Sequence, residues 1–223
     1  MDVDGIKIEF LGHDGFLIEC KDGMRIIIDP YNVSDSVGKA DFILITHSHY
    51  DHCSIKDIGK LVKEETVIVV PADVQSKITK IEKVHMEVVE IGDEIELGKF
   101  KIEVVPAYNI GKDFHPKSEG WFGYLIKMRN VIIYHAGDSD NTPEMKSLSG
   151  YGKHGNKFIA LLPVSGKYVM DAVEAAEAAK MLNPSMAIPM HYGSGVVGTI
   201  EDAKEFVELC KQKGINAEIL ERI

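Results

Sequence analysis

Residues 41–54 read DFILITHSHYDHCS, and the rest of the chain is organised around them. Phe42 to Ile45 form a short apolar run of the kind a buried strand shows. The chain then turns polar and delivers His47, His49, Asp51 and His52 within six positions. Imidazole nitrogen and carboxylate oxygen suit Zn²⁺, Mn²⁺, Fe or Ni²⁺. Three His and one Asp exceed what a single closed structural site needs from so short a segment, so two metals, or one metal with open positions, both fit. Residues two apart in an extended segment point the same way, so His47 and His49 can grip one ion while Asp51 and His52, at the turn, face a second. Ser54 and Asp57 have the spacing of an N-cap and capping box opening the helix SIKDIGKLVKEE, which sets the ligands between a strand end and a helix start. The positive end of that helix favours anionic groups nearby. A chance His-rich surface loop is disfavoured, because this one turn holds three of the chain's nine His.

The whole chain sets the bounds. Its 223 residues, 45% of them hydrophobic, are enough for one large α/β domain spanning 1–223 with a sizeable core. A net charge of −10 argues against a broad nucleic-acid or anionic-membrane surface and favours a small-molecule partner, leaving a homo-oligomer open. The opening MDVDGIKIEF lacks the basic and apolar parts of a signal peptide, and no apolar run is long enough to span a bilayer, so a cytoplasmic protein is expected. Three Cys without a CxxC pair make a disulfide framework unexpected. Cys210 reads as core; Cys53, directly after a ligand, reads equally as core or as site lining.

Upstream of the quoted stretch, IKIEF, FLIEC and MRIIIDP form an antiparallel meander whose turns and ends carry His13 and Asp29, candidates for the rim of a site. Downstream, TVIVVPA reads as a strand and ADVQSKITKI as a short helix. The alternating segment from His85 to Pro106 predicts antiparallel strands partly facing solvent, with His85 on the surface. YNIGKDFHPKSEGW, residues 108–121, is the longest irregular stretch and carries Asn109, His115, Lys117 and Trp121; long loops in compact domains are commonly functional. FGYLIKM and VIIYHAGDSD predict a hairpin that presents Asp138 and Asp140, TPEMKSL a short helix, and YGKHGNK a surface connection with His154 exposed. KFIALLPV is a buried strand. DAVEAAEAAKML is a helix capped by Asp171 and Glu174. SMAIPMHYG is a short strand delivering His191 to a Gly-rich turn, a last helix runs from Thr199 to about Lys213 and closes at Gly214, and NAEILE reads as a final strand.

THSHYDH, AGDSD and PMHYG together resemble the metallo-β-lactamase superfamily in content and chain order, over nearly the whole chain. The resemblance implies an α+β fold, a four-layer αββα sandwich of two mixed sheets with helices outside. FLGHDGF, IIIDP, VPAYN, FHPK, YHAGDSD and IPMHYG look like its metal-dependent hydrolase branch, similar to L-ascorbate-6-phosphate lactonases and more distantly to N-acyl-phosphatidylethanolamine phospholipase D. It places His47 and His49 on one metal, Asp51, His52 and His191 on the other, and Asp138 between them. The superfamily's usual third His is missing, with Asn109 at or near its place; His115, His13 or His135 can substitute, His135 being better suited to orienting Asp138 or a ligand from behind.

The expected function is metal-dependent hydrolysis of an ester, lactone or phosphodiester in a small molecule. One or two divalent ions per chain, Zn²⁺ by default and Mn²⁺, Fe or Ni²⁺ otherwise, lower the pKa of water to roughly 7. Asp51 is the expected catalytic residue, orienting the attacking water, with His13, Asn109 and Lys117 placed for substrate. The rivals are a redox enzyme similar to sulfur dioxygenases and a metal-stabilised binding protein without turnover. Diiron flavoproteins of this fold usually carry Glu between the first two His, where this chain has Ser48. A nuclease is disfavoured by the acidic balance.

Overall fold

The computed structural model describes residues 1–153 and 155–223, so the surface position expected for His154 lies outside the described residues. The chain divides into two compact units, residues 1–90 with Leu220–Ile223, and Ile91–Ile219.

The first unit is built on a seven-stranded mixed sheet in sequential order. Its strands are β1 (Asp2–Val3), β2 (Ile6–Gly12), β3 (Gly15–Cys20), β4 (Arg25–Ile28), β5 (Phe42–Leu44), β6 (Thr66–Val70) and β7 (Val84–Val88). The first four are antiparallel, which short turns permit. From β4 onward the neighbours are parallel, and the β5 to β6 crossover carries helix α1 (Ile55–Leu61). Apart from the half-buried Val67, the isoleucines and valines of β4 to β6 are buried on both faces, as parallel strands require. One face packs Ile27, Ile43 and Ile68 against Ile58 and Leu61 of α1, and against Val74 and Ile78 of a 3₁₀ turn and the short α2 (Gln75–Ile78). The helix expected over SIKDIGKLVKEE ends early, at Leu61. Ser54 does cap it, but the Asp57 carboxylate accepts from Ser54 Oγ at 2.6 Å and from Asn32 N at 3.0 Å, tying the helix start to the loop after β4.

The second unit holds a six-stranded mixed sheet in the order β13-β12-β11-β10-β9-β8. Its strands are β8 (Glu94–Leu97), β9 (Phe100–Pro106), β10 (Phe122–Met128), β11 (Val131–His135), β12 (Lys157–Pro163) and β13 (Met186–Met190). β8 to β11 are antiparallel, including the expected β10–β11 hairpin, and β11 to β13 are parallel. The segment read as one antiparallel run from His85 to Pro106 is therefore divided: β7 pairs in parallel with β6 of the first unit, while β8 and β9 belong here. Helix α3 (Ala172–Leu182) buries Ala175, Ala176, Ala178 and Ala179, small enough for close approach to β12, and α4 (Ile200–Gln212) packs on α3 and β13. α4 buries Ala203, Phe206 and Cys210. NAEILE forms no strand: within it only Ala217 makes an isolated bridge, to Ala187, and Arg222 just beyond it makes another, to Phe10. TPEMKSL lies within a 3₁₀ helix, Pro143–Gly150.

The capping box of α3 is complete, with Glu174 N donating to Asp171 at 2.8 Å and Asp171 N to Glu174 at 3.0 Å. Asp171→Ala is expected to cost about 1 kcal/mol, lowering the melting temperature by roughly 2–4 °C in thermal denaturation.

Candidate metal centre

Each sheet collects its candidate donors at the carboxyl end of its parallel strands, the usual location of chemistry in α/β sheets. In the first unit Ile28 pairs with Leu44, so Asp29 and Thr46–His47 leave β4 and β5 side by side. The β2–β3 turn, with Phe16 opposite Ile28, sets His13 and Asp14 next to them.

Asp29 organises this cluster. Its carboxylate is fully buried and accepts from Thr46 N at 2.9 Å, Thr46 Oγ1 at 2.5 Å and His52 Nδ1 at 2.9 Å. The single hydrogen of Thr46 Oγ1 goes to the carboxylate, so towards His47 Nδ1, 3.0 Å away, that hydroxyl is an acceptor. His47 and His52 therefore both carry their proton on Nδ1 and turn the lone pair of Nε2 to the ligand side. His47 Nε2 lies 3.1 Å from His49 Nδ1, so these two do share a direction. His52 Nε2 faces carboxylates instead, 3.7 Å from Asp14 Oδ2 and 3.9 Å from Asp51 Oδ2. His13 Nε2 lies 2.9 Å from Asp51 Oδ2. His13, Asp51 and His52 bring ligand atoms within 4.8 Å of one another, as do Asp29, His47 and His52.

In the second unit β11, β12 and β13 end together, with His135 opposite Leu161 and Pro163 opposite Met190. Asp138, Ser165 and His191 follow those three ends. A Cβ on Gly123 of β10 would sit 2.3 Å from the His135 carbonyl, so only glycine allows β10 this close to the strand that delivers Asp138. Asp138 Oδ2 is 3.1 Å from His115 Nε2 and 3.3 Å from His191 Nε2, all three residues buried. His115 Nδ1–H donates to the Tyr168 carbonyl at 3.0 Å, and His191 Nδ1 meets Ser165 Oγ at 2.7 Å.

These arrangements fit a cation. With its proton on Nδ1, His115 turns its Nε2 lone pair towards the Asp138 carboxylate, 3.1 Å away. Two acceptors at that distance repel unless a proton or metal ion lies between them. His52 Nε2 also turns towards carboxylate oxygens, at the longer distances of 3.7 Å to Asp14 and 3.9 Å to Asp51. His13, Asp29, His115 and His191 also have positive φ, +57°, +40°, +54° and +64°, a backbone state that non-glycine residues hold at a cost and that clusters at functional sites.

Asn109, expected at or near the place of the superfamily's usual third His, has a structural role in this loop. Asn109 does not replace that His; its Nδ2 donates to the carbonyls of Phe114 (2.8 Å) and Tyr168 (2.5 Å), and its N–H to the His115 carbonyl (2.8 Å). Asn109 thus folds the loop so that His115 reaches Asp138. Asn109→Ala is expected to weaken metal binding by about 10- to 100-fold with the far-ultraviolet circular dichroism unchanged, as for other residues that support a ligand; titration calorimetry checks this.

Other expected positions resolve plainly. His135 is buried, and its Nδ1 accepts from Gly137 N at 3.2 Å, so it shapes the turn ahead of Asp138. Lys117, expected to face substrate, is instead bound to Glu144 Oε1 at 2.6 Å and lies over the Tyr108 ring. Cys53 belongs to the apolar core, where burial pushes its thiol up to about 11. His85 is exposed against Glu65, and Trp121 lies with its ring 5.5 Å from that of His115. Sequence reading missed Asp14, Thr46, Ser165 and Tyr168. Only Asp14, beside His13 in the GHDG turn, carried a recognisable signal.

Residues 7–191 match the family model described as beta-lactamase superfamily domain, and the chain belongs to that superfamily. It is 33% identical over 224 residues to a UPF0173 metal-dependent hydrolase of Nanoarchaeum equitans, covering 97% of each chain. It is 28% identical over 228 residues to a UPF0173 metal-dependent hydrolase of Archaeoglobus fulgidus, covering 96% of this chain and 95% of that one. A crystal structure from Parabacteroides distasonis superposes with a TM-score of 0.82 at 32% identity, covering 98% of this chain and 94% of that one. The structure of Igni18, a metallo hydrolase of Ignicoccus hospitalis, gives 0.73 at 24% identity with 97% and 95% coverage and shares the fold. Within the superfamily, the chain is a member of the UPF0173 metal-dependent hydrolases, with the expected pair of mixed sheets flanked by helices.

Proposed function

We propose that the metal dependence of this hydrolase rests on His47, His49, Asp51, His52, His115, Asp138 and His191 as ligands, with one or two ions per chain. The observation that carries this reading is that Asp138 Oδ2 lies 3.1 Å from His115 Nε2 and 3.3 Å from His191 Nε2, so that these three would hold a cation with two nitrogens and a carboxylate oxygen. When bound, the metal supplies a Lewis acid that acidifies a water. The donors are nitrogen and oxygen, and Cys53 is engaged in the core, which favours Zn²⁺ and also suits Mn²⁺, Fe or Ni²⁺.

The chain's own residues do the rest. Asp51 Oδ2 orients the attacking water and takes its proton, with His13 Nε2 at 2.9 Å supporting the charge. Asp29 holds His47 and His52 in one tautomer, and Tyr168 holds His115. The substrate is a small ester, lactone or phosphodiester; the net charge of −10 opposes a nucleic-acid backbone and disfavours a membrane surface. Among the described residues no helix is long and apolar enough to cross a membrane. Cys20, Cys53 and Cys210 are not joined in a disulfide, which suits a reducing cytoplasm as the place of action.

A chelator-stripped sample tested on a γ-lactone, a p-nitrophenyl ester and bis-p-nitrophenyl phosphate, then retested after addition of Zn²⁺ or Mn²⁺, checks the reading. Hydrolysis of at least one, lost on stripping and restored by metal, is expected. Metal-replete protein inert towards all three ester classes, or equal turnover with and without metal, contradicts it.

A further inference from the structure

Between the buried Asn109 and His115, residues 110, 111, 113 and 114 are exposed and only Lys112 is half-buried. A lysine ammonium has three hydrogens to donate and no lone pair to accept with. Those of Lys112 meet three acceptors: the Asp140 carboxylate, the Val169 carbonyl at 2.8 Å and Glu174 Oε2 at 3.2 Å. With every hydrogen engaged inside the protein, Lys112 has none left for a substrate, and its role follows from what it joins.

The acceptors belong to three segments around the His115 and Asp138 pair. Asp140 follows Asp138 in the turn after β11. Val169 follows Tyr168, whose carbonyl accepts from both His115 and Asn109. Glu174 closes the capping box of α3 and anchors the far side. Asp140 spans the same gap by two further bonds: its Oδ2 accepts from Ile110 N at 2.7 Å, and its N–H donates to the Tyr108 carbonyl at 3.0 Å. Asp140 is buried, where a carboxylate is tolerated when it is paired and hydrogen-bonded in this way. Lys112 lies three residues before His115, and His115 Nε2 is 3.1 Å from Asp138 Oδ2. The Lys112–Asp140 pair therefore closes a small ring through the His115–Asp138 contact, with the 112–115 loop on one side and the 138–140 turn on the other.

We propose that Lys112, paired with Asp140, is a positioning residue that sets His115 against Asp138 for the metal, an inference that rests on the reading of those two as ligands.

Co²⁺ titrated into metal-free full-length protein, followed by visible absorption, reports both affinity and ligand geometry. Lys112→Met, which keeps the length and removes the ammonium, is expected to weaken Co²⁺ binding about tenfold and to change the spectrum. Lys127→Met controls for the loss of a half-buried lysine as such. Lys127 binds Glu103 and Tyr151 and lies opposite Ile132, away from the strand ends that carry the ligands. This control is expected to lower the melting temperature and leave the Co²⁺ titration unchanged. Asp140→Asn is expected to weaken Co²⁺ as well, and the double variant Lys112→Met/Asp140→Asn no further than the weaker-binding single, because both break one link. His115→Ala, expected to remove the absorption of one ion, separates this inference from the reading beneath it. A titration that His115→Ala leaves unchanged overturns the ligand reading and this proposal with it. If His115→Ala changes the titration while Lys112→Met and Asp140→Asn do not, or if Lys127→Met weakens Co²⁺ as much as Lys112→Met does, this proposal alone is overturned.

Discussion

Asp138→Ala is expected to lower kcat/KM by about three orders of magnitude or more and to reduce the bound metal in the same samples. A metal-held transition state gains several kcal/mol from the ion, and each 1.36 kcal/mol is tenfold in rate. Asp138 Oδ2 is within 3.3 Å of both His115 and His191 Nε2, so its loss takes away the anionic donor that both imidazoles face. Asp138→Asn separates charge from shape. An amide can fill the same space and donate to an imidazole lone pair, so the fold should be kept while metal and turnover are lost. Plasma mass spectrometry, initial rates and circular dichroism on the two variants check this. Full activity in either would remove Asp138 from the centre.

Asp29→Ala is expected to be the most destabilising single change at the site, by about 3–5 kcal/mol, because it leaves buried donors without their charged acceptor. The groups stranded are Thr46 N, Thr46 Oγ1 and His52 Nδ1. For a chain of this size that corresponds to a fall in melting temperature of about 6–20 °C. Metal affinity should fall as well, by about 10- to 100-fold, since the same carboxylate fixes His52 directly and His47 through Thr46. Thr46→Val isolates the second route: it cuts the link to His47 and leaves the Asp29–His52 bond. Calorimetric melting and metal titration of the three proteins distinguish a supporting carboxylate from a merely buried one. A melting temperature within about 2 °C of the parent for Asp29→Ala contradicts the account.

The residues that proved legible in the sequence are those whose roles are set locally. Apolar run, abrupt polarity and closely spaced His gave the β5 end, and the Asp171 and Glu174 spacing gave the start of α3. What stayed hidden depends on contacts between distant segments. His115 was one of several substitutes read for the missing ligand, and what turns it towards Asp138 is the Tyr168 carbonyl, 53 residues further on, which both His115 and Asn109 bind. Thr46 and Ser165 are ordinary residues in ordinary runs; their meaning comes from neighbours 17 and 26 residues away. NAEILE has strand composition but makes only an isolated bridge, Ala217 to Ala187, a matter of pairing partners rather than propensity. β7 looked like the start of a meander because alternation is the same whether a strand's neighbour is parallel or antiparallel. Lys117 looked available for substrate because nothing near it in sequence announces Glu144, 27 residues away.

The most direct test of the central claim is metal content per chain, measured by plasma mass spectrometry on protein purified without added metal, for the parent, His52→Ala and His115→Ala. About two ions per chain in the parent, falling to about one in each variant, is the predicted result. A content that neither variant changes, whatever its value, would mean that these histidines are not ligands and would contradict the account.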